Sequence, residues 1–148
     1  MKRRSVLHAV LAAAAGIVGS RAAGATEAGE PSAAKVAYHL ADIEKVAFVL
    51  GNIRNHVRGM GGPDKVTIEL VVHGPALKAF HAAAAEPDIR SAVAEFSAKR
   101  VAFSACANTM AGQKVTLADL LPGFGSAERG GVVRLAELQA QGYVYLRP

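Results

Sequence analysis

The chain has 148 residues, of which 51% are hydrophobic and 20% charged, and its formal net charge is +5. Four of its 17 basic residues lie in the first 25 positions, where there is no acidic residue, so the rest of the chain carries 13 basic and 12 acidic residues. A net charge of +1 leaves no basic stripe that could follow a phosphate backbone, which excludes nucleic acid as the expected partner.

The N-terminal region, residues 1–25, is predicted to be a signal peptide. The basic triplet Lys2–Arg4 precedes an apolar run, Val6–Gly19, that is too short for a membrane span of about 20 residues, and Ala23–Ala25 fits an A-x-A cleavage site. The paired arginines resemble a twin-arginine export signal. An ordinary secretory signal and an uncleaved anchor are the alternatives. We therefore expect a periplasmic or otherwise exported protein, cleaved near Ala25, with no integral membrane span in the mature chain.

After this leader, residues 26–34 are predicted to form a flexible lead and residues 35–148 a single domain. Lys35–Leu40 is predicted as the first strand. A helix follows, with Asp42 as its candidate N-cap, and Gly59–Asp64 must end it. The apolar face of this helix comprises Ile43, Val46, Ala47, Leu50, Ile53 and Val57. Val66–Val72 is nearly continuously apolar and β-branched, which is typical of a strand covered on both faces.

The next segments repeat the alternation of helix and strand. Ala76–Ala85 is predicted to be helical, and a further helix is marked by Ile89, Val93 and Phe96. Val101–Ala105 is predicted as the third strand, ending at Cys106.

The C-terminal part begins with Thr116–Asp119, which resembles a capping box. Gly123–Gly131 is predicted to be a loop. Val132–Gln141 is predicted to be a helix, followed by Gly142 as its C′ residue and by a last strand, Tyr143–Leu146. The inward residues of that helix are expected to be Val132, Leu135 and Leu138. The whole pattern predicts an α/β three-layer sandwich, with a mainly parallel sheet of about four to five strands and helices on both faces.

Three reactive side chains close three of these strands: His39, His73 and Cys106. Ligands of open parallel sheets bind at the carboxyl ends of the strands, so these residues can share one rim. Cys106 is the strongest candidate, because backbone N–H groups at the following turn, near Asn108, would stabilise a thiolate. The alternatives are an inert buried cysteine, histidines with structural hydrogen bonds, and a His₂Cys site for zinc or copper. We expect no cofactor and no metal.

Cys106 is the single cysteine of the chain, so no intrachain disulfide can form and packing must hold the domain together. If the protein is exported, a lone thiol has to be buried or used.

The chain resembles the DsrE/DsrF-like proteins with the YchN-like fold, in particular exported members, from about Lys35 to Pro148. The matching segments are Val36–His39, Ile53–Asn55, Val71–Gly74, Val101–Thr109, Gly131–Leu135 and Gly142–Pro148. The resemblance implies a compact α/β domain that assembles into trimers or hexamers. It also implies that Cys106 carries sulfur as a persulfide, exchanged with a sulfur-donor or acceptor protein.

Two functions follow from these observations. The first is a sulfur-relay or thiol-handling protein, in which Cys106 is the nucleophile, His73 or His39 assists its deprotonation, and Asn108 with the local N–H groups stabilises the anion. The second is a non-catalytic oligomeric binding module for a small ligand or a metal. Other enzyme classes lack a motif in this sequence: Gly59–Gly62 lies between a helix and a strand, which is the wrong context for a dinucleotide fingerprint.

Overall fold

The structure, a computed structural model, describes residues 33–148. Both the predicted signal peptide, residues 1–25, and the predicted lead up to residue 32 lie outside the described residues. Five strands form one sheet, with bounds β1 Ala34–Leu40, β2 Val66–Val72, β3 Ala102–Cys106, β4 Phe124–Ala127 and β5 Val144–Leu146. Four α-helices accompany them, with bounds α1 Val46–Gly59, α2 Pro87–Ala98, α3 Ala107–Gln113 and α4 Gly131–Ala140.

The sheet has the order β4-β3-β2-β1-β5, and every pair of neighbouring strands is parallel. The chain steps from β1 to β4 in one direction, and α4 then returns across the sheet to place β5 beside β1. The strand order therefore reverses between β1 and β5, and all carboxyl ends lie at one edge. The predicted α/β sandwich with a mainly parallel sheet is confirmed.

The two faces of the sheet are covered unequally. On one face a large core packs strand residues such as Leu40, Leu70 and Phe103 against α1, α2 and the connecting segments. The opposite face, which presents Ala37 and Val71, packs a much smaller apolar cluster with residues of α4. Since side chains alternate along a strand, His39, His73 and Cys106 fall on this thinly covered face.

Several predicted details are wrong at helix starts. Asp42 makes no side-chain cap, because a 3₁₀ turn, Ile43–Lys45, precedes α1, and its carboxylate instead accepts a hydrogen bond from Arg147 at 3.2 Å. Ile43 lies in that turn and is 46% exposed instead of facing the core. The predicted helix Ala76–Ala85 is a 3₁₀ helix, Gly74–Phe80, which tightens a short connection that begins with a proline at the first turn.

Two further corrections concern the C-terminal part. The predicted loop Gly123–Gly131 contains β4, whose four residues, Phe-Gly-Ser-Ala, carry almost no strand signal and pair only with β3 at an edge. Helix α4 begins at Gly131, and this shifts Val132 to its outer side, where it is 69% exposed. Leu135 and Leu138 face the sheet as predicted, and the capping box at Thr116 and Asp119 is present.

Candidate functional site

Four neighbouring strands bring reactive side chains to one rim. Tyr145 comes from β5, His39 from β1, His73 from the residue after β2 and Cys106 from the end of β3. Because these strands are adjacent in the sheet, the predicted shared rim forms. Tyr145 and His39 lie where the strand order reverses, which is the usual place for a ligand in an open α/β sheet.

His39 and His73 form a close pair on this rim. Their Nε2 atoms are 2.5 Å apart, their ring centroids are 4.7 Å apart and their ring planes differ by 19°, so the two rings meet edge to edge. The Nδ1 atom of His39 is 2.7 Å from the hydroxyl oxygen of Tyr145. A hydrogen bond between two Nε2 atoms requires one ring to donate and the other to accept, so the two histidines hold opposite tautomers at their facing nitrogens. Tyr145, His39 and His73 thus form one hydrogen-bonded chain.

The histidine pair is neutral at neutral pH. Burial lowers the pKa of His39 to about 4, and His73 and Arg147 act in the same direction while Asp42 opposes them. Burial, again with Arg147, also lowers the pKa of His73. A neutral imidazole has a ring nitrogen that can accept a proton, but the lowered pKa values make both rings weaker bases than an ordinary histidine.

Cys106 lies among hydrogen-bond donors. It is 6% exposed, and it occupies the position before the first residue of α3. Burial raises the pKa of its thiol, but hydrogen bonds from the Thr109 hydroxyl and from the backbone N–H groups of Gly131, Thr109 and Asn108 outweigh burial, so that the pKa lies below its usual value. The environment therefore favours the thiolate, which is the nucleophilic form.

Thr109 is held in place by the turn after β2. The backbone N–H of Gly74 donates to Thr109 Oγ1 at 3.0 Å, which leaves the hydroxyl proton free for the sulfur. Gln113 of α3 donates to the carbonyl oxygen of Gly74 at 2.9 Å, and His81 is 2.8 Å from the other end of the same amide. Two contacts thus tie α3 to the His73–Gly74 turn. Sequence reasoning missed both Thr109 and Gln113, although Thr109 lies three residues after the cysteine.

The first residue of α4, Gly131, lies directly against Cys106 and His73. A Cβ atom on Gly131 would lie 3.3 Å from the Cβ atoms of both Cys106 and His73, and one on Gly130 would lie 2.8 Å from Asn108 Nδ2. Gly130 also has a φ of +100°, which other residues rarely adopt. The pair of glycines therefore lets the backbone N–H of Gly131 reach the thiol. The Gly130-Gly131 pair at the start of the final helix was the signal in the sequence.

Asn108 was expected to help stabilise the thiolate, and it is the backbone of this residue, not its side chain, that lies at the sulfur. Its backbone N–H lies at the thiol, while its side-chain amide packs against Gly130. The catalytic roles of Cys106, His73, His39 and Asn108 stay predictions.

Comparison with known proteins identifies the family. The model of the DsrE/DsrF-like family matches residues 14–148. The chain belongs to this family. Among solved structures, a protein of unknown function from Methanobacterium thermoautotrophicum is similar, with 26% identity and a TM-score of 0.68 over 78% of this chain and 99% of its own. No curated protein matches this DsrE-like chain.

Neither a cluster of metal ligands nor a membrane-spanning helix is found among residues 33–148. In this part of the DsrE-like chain, no three His, Cys, Asp or Glu side chains are grouped so that they could hold a metal ion. The His₂Cys alternative therefore has no support from the geometry of the rim. None of the helices described here combines the length and apolar character that crossing a bilayer requires.

We predict that replacing Thr109 by Val raises the pKa of Cys106 by about one unit, because a hydrogen bond to a charged group is lost. The pH dependence of alkylation by iodoacetamide measures this pKa. The matched control is Thr67→Val, at an exposed position on β2 far from the thiol. Equal pKa values in the Thr109 variant and the wild type would show that the hydroxyl does not act on the sulfur.

Gly131→Ala is expected to raise the same pKa and to lower the melting temperature by several degrees, roughly 1 kcal/mol, since the added methyl group forces α4 away from Cys106 and His73. Gly51→Ala is the control, because a Cβ atom at this helical position of α1 has no neighbour within 4 Å. The control should be neutral or slightly stabilising. An unchanged thiol pKa in Gly131→Ala would rule out the close approach as the cause of thiolate stabilisation.

The lowered pKa of His39 predicts a pH-dependent stability. The unfolded chain takes up this proton near pH 6.5 and the folded chain only near pH 4, so the contribution is complete above pH 6.5 and is lost as the pH falls towards 4. In His39→Gln this loss should shrink by about 1 kcal/mol, a value reduced for the partial exposure of the ring. Urea unfolding between pH 7 and 4 measures the free energy of unfolding of both proteins. Carboxylates that titrate in this range are present in both proteins, so their contribution cancels in the difference between the two profiles. Parallel pH profiles would contradict the prediction.

Proposed function

We propose that this DsrE-like protein handles thiol-bound sulfur and that Cys106 carries it as a persulfide. The observation that supports this proposal most directly is the set of donors around Cys106, which favours a thiolate although the side chain is buried. An inert structural cysteine would need no such donors. Membership of the DsrE/DsrF-like family is consistent with sulfur transfer.

The reaction needs no external oxidant. The Cys106 thiolate attacks the outer sulfur of a polysulfide or persulfide donor, a new S–S bond forms, and the donor's S–S bond breaks. The rest of the donor leaves with the electron pair of the broken bond, as a thiolate from an organic persulfide, or as hydrosulfide or a polysulfide shorter by one sulfur from an inorganic polysulfide. An acceptor thiolate then attacks the outer sulfur on Cys106 and regenerates the Cys106 thiolate. The Thr109 hydroxyl and the N–H of Gly131 stabilise the anion before and after each transfer.

In this proposal the histidine pair accepts the proton of the resting thiol. A Cβ atom on Gly131 would lie 3.3 Å from the Cβ atoms of both His73 and Cys106, and both histidines are neutral at neutral pH. His73 takes the proton, and the chain through His39 to Tyr145 passes it towards solvent. In this scheme the histidine pair removes the proton, and the backbone N–H groups stabilise the resulting anion.

Export is part of the proposal, since Lys2–Arg4, the following apolar run and Ala23–Ala25 together resemble a signal of the twin-arginine type. A thiol in an oxidising compartment has to be shielded, and Cys106 is only 6% exposed. This degree of burial favours small inorganic sulfur donors, or a partner protein whose binding exposes the thiol.

A homo-oligomer, a trimer or hexamer, belongs to the proposal as well. Three aliphatic side chains near the thinly covered face and the β5 edge are exposed: Val132, Val133 and Val144. These residues equally suit the second candidate function, a non-catalytic oligomeric binding module. Full biological function in a Cys106→Ser variant would favour the binding module.

Incubation of the protein with inorganic polysulfide, followed by mass spectrometry of the intact chain, tests the sulfur-carrier proposal. We expect a gain of one or more sulfur atoms that maps to Cys106, is absent from Cys106→Ser, and is lost on incubation with an acceptor thiol. A thiol that resists both polysulfide and alkylation in the folded protein would refute it.

A further inference from the structure

An ion pair between a buried carboxylate and a partly exposed guanidinium joins α4 to the middle of the sheet. Glu69 of β2 is 4% exposed, and it is the one buried charged side chain among residues 33–148. Arg134 of α4 donates from Nε to one carboxylate oxygen at 2.7 Å and from Nη2 to the other at 2.6 Å. Ser104 of β3 donates to the first oxygen at 2.7 Å. The carboxylate therefore contacts two neighbouring strands and the helix at once.

Stability alone does not explain this cluster. Removing the Glu69 carboxylate from water, and the Arg134 guanidinium partly so, costs free energy that the pair has to offset, and apolar residues commonly replace buried ion pairs without loss of stability. A bidentate contact between guanidinium and carboxylate differs from an apolar contact, because it fixes direction as well as distance. The cluster is thus suited to holding α4 in one position over the sheet.

Both ends of the cluster lie next to the thiol site. Arg134 is in the first turn of α4, and its backbone N–H donates to the carbonyl oxygen of Gly130 at 3.0 Å. Ser104 precedes Cys106 by two residues and faces the same side of β3. The first turn of α4 cannot move closer to the sheet without a clash, since even a Cβ atom on Gly131 would lie 3.3 Å from the Cβ atom of Cys106.

We infer that Glu69 and Arg134 are positioning residues for Cys106: their bidentate contact, supported by Ser104, holds the first turn of α4 so that the backbone N–H of Gly131 stays on the sulfur. This inference rests on the proposed function, because a fixed N–H group matters only if the thiol reacts. It adds two side chains that do not touch the thiol to the machinery of the site.

The sign of one substitution separates positioning from direct electrostatics. Glu69→Gln removes a negative charge, and by Coulomb's law alone this change would lower the pKa of a nearby thiol. Positioning predicts the opposite, because Arg134 loses its bidentate partner and Gly131 moves. Arg134→Lys keeps the charge but removes the planar fork, so direct electrostatics predicts no change and positioning predicts a higher pKa.

The experiment measures the pKa of Cys106 from the pH dependence of alkylation in the full-length chain, with folding checked by circular dichroism. Arg134→Lys and Glu69→Gln should each raise the pKa by about half a unit or more, which is roughly a threefold smaller thiolate fraction at pH 7. The matched control is Arg54→Lys, which alters an exposed pair with Glu95 on α1 and α2. It should leave the pKa unchanged.

An unchanged pKa in folded Arg134→Lys, or a lowered pKa in Glu69→Gln, would overturn the inference. If either variant fails to fold, Ser104→Ala decides by the same criterion, because it removes one hydrogen bond to the carboxylate and no charge. Alkylation does not require sulfur transfer, so the two proposals fail separately. A raised pKa without persulfide formation would leave the positioning role standing and refute the sulfur carrier, and persulfide formation with an unchanged pKa would do the reverse.

Discussion

The contact between the first residue of α4 and the end of β3 is the constraint on which the rest of this site depends. Gly131 can approach Cys106 because it has no Cβ, and at this distance its N–H reaches the sulfur. The approach follows from the topology, since the chain leaves β4 at one edge and must cross to β5 at the other. A single helix therefore both covers the sheet face and supplies a donor to the thiol.

The unequal covering of the sheet explains why the chemistry lies on one face. The face packed by α1 and α2 is almost wholly apolar, whereas the face under α4 holds Glu69, Ser104 and both rim histidines. Buried polar groups must be hydrogen-bonded, and one helix leaves space for such partners that two packed helices would fill. Little apolar burial is lost, because Leu135 and Leu138 still pack against the centre of this face.

Much of the fold could be predicted because its signals are local. The β-branched run Val66–Val72 is a strand with the predicted bounds, and the strand-end positions of His39, His73 and Cys106 place them at one rim. The strand order, which decides that these three strands are neighbours, depends on long-range packing and has no local signal. Strand β4 was missed for a related reason: its small residues become a strand only by pairing with β3.

The donors at the thiol were harder to predict than the thiol itself. Three of the four are backbone N–H groups, and a backbone group leaves no mark in the residue type that carries it. The sequence shows only neighbouring features of the site: the Gly130-Gly131 pair at the start of α4 and a threonine three residues after the cysteine. Glu69 was hidden in the same way, since one charge within an apolar strand gives no indication of its partner Arg134, which is distant in sequence.

The lowered pKa of Cys106 also bears on the direction of sulfur flow. A thiol with a lowered pKa is more ionised at a given pH than an ordinary thiol, but its intrinsic nucleophilicity is lower and it leaves more readily from a disulfide-like bond. For a persulfide on Cys106, easy departure of the inner sulfur favours attack on the outer one, so the donors around Cys106 promote release as much as capture. Because Cys106 is only 6% exposed, bulky thiols have limited access to the persulfide while the sulfur is bound. Under the proposed function, this arrangement suits a carrier that holds sulfur briefly and passes it on better than a store that retains it.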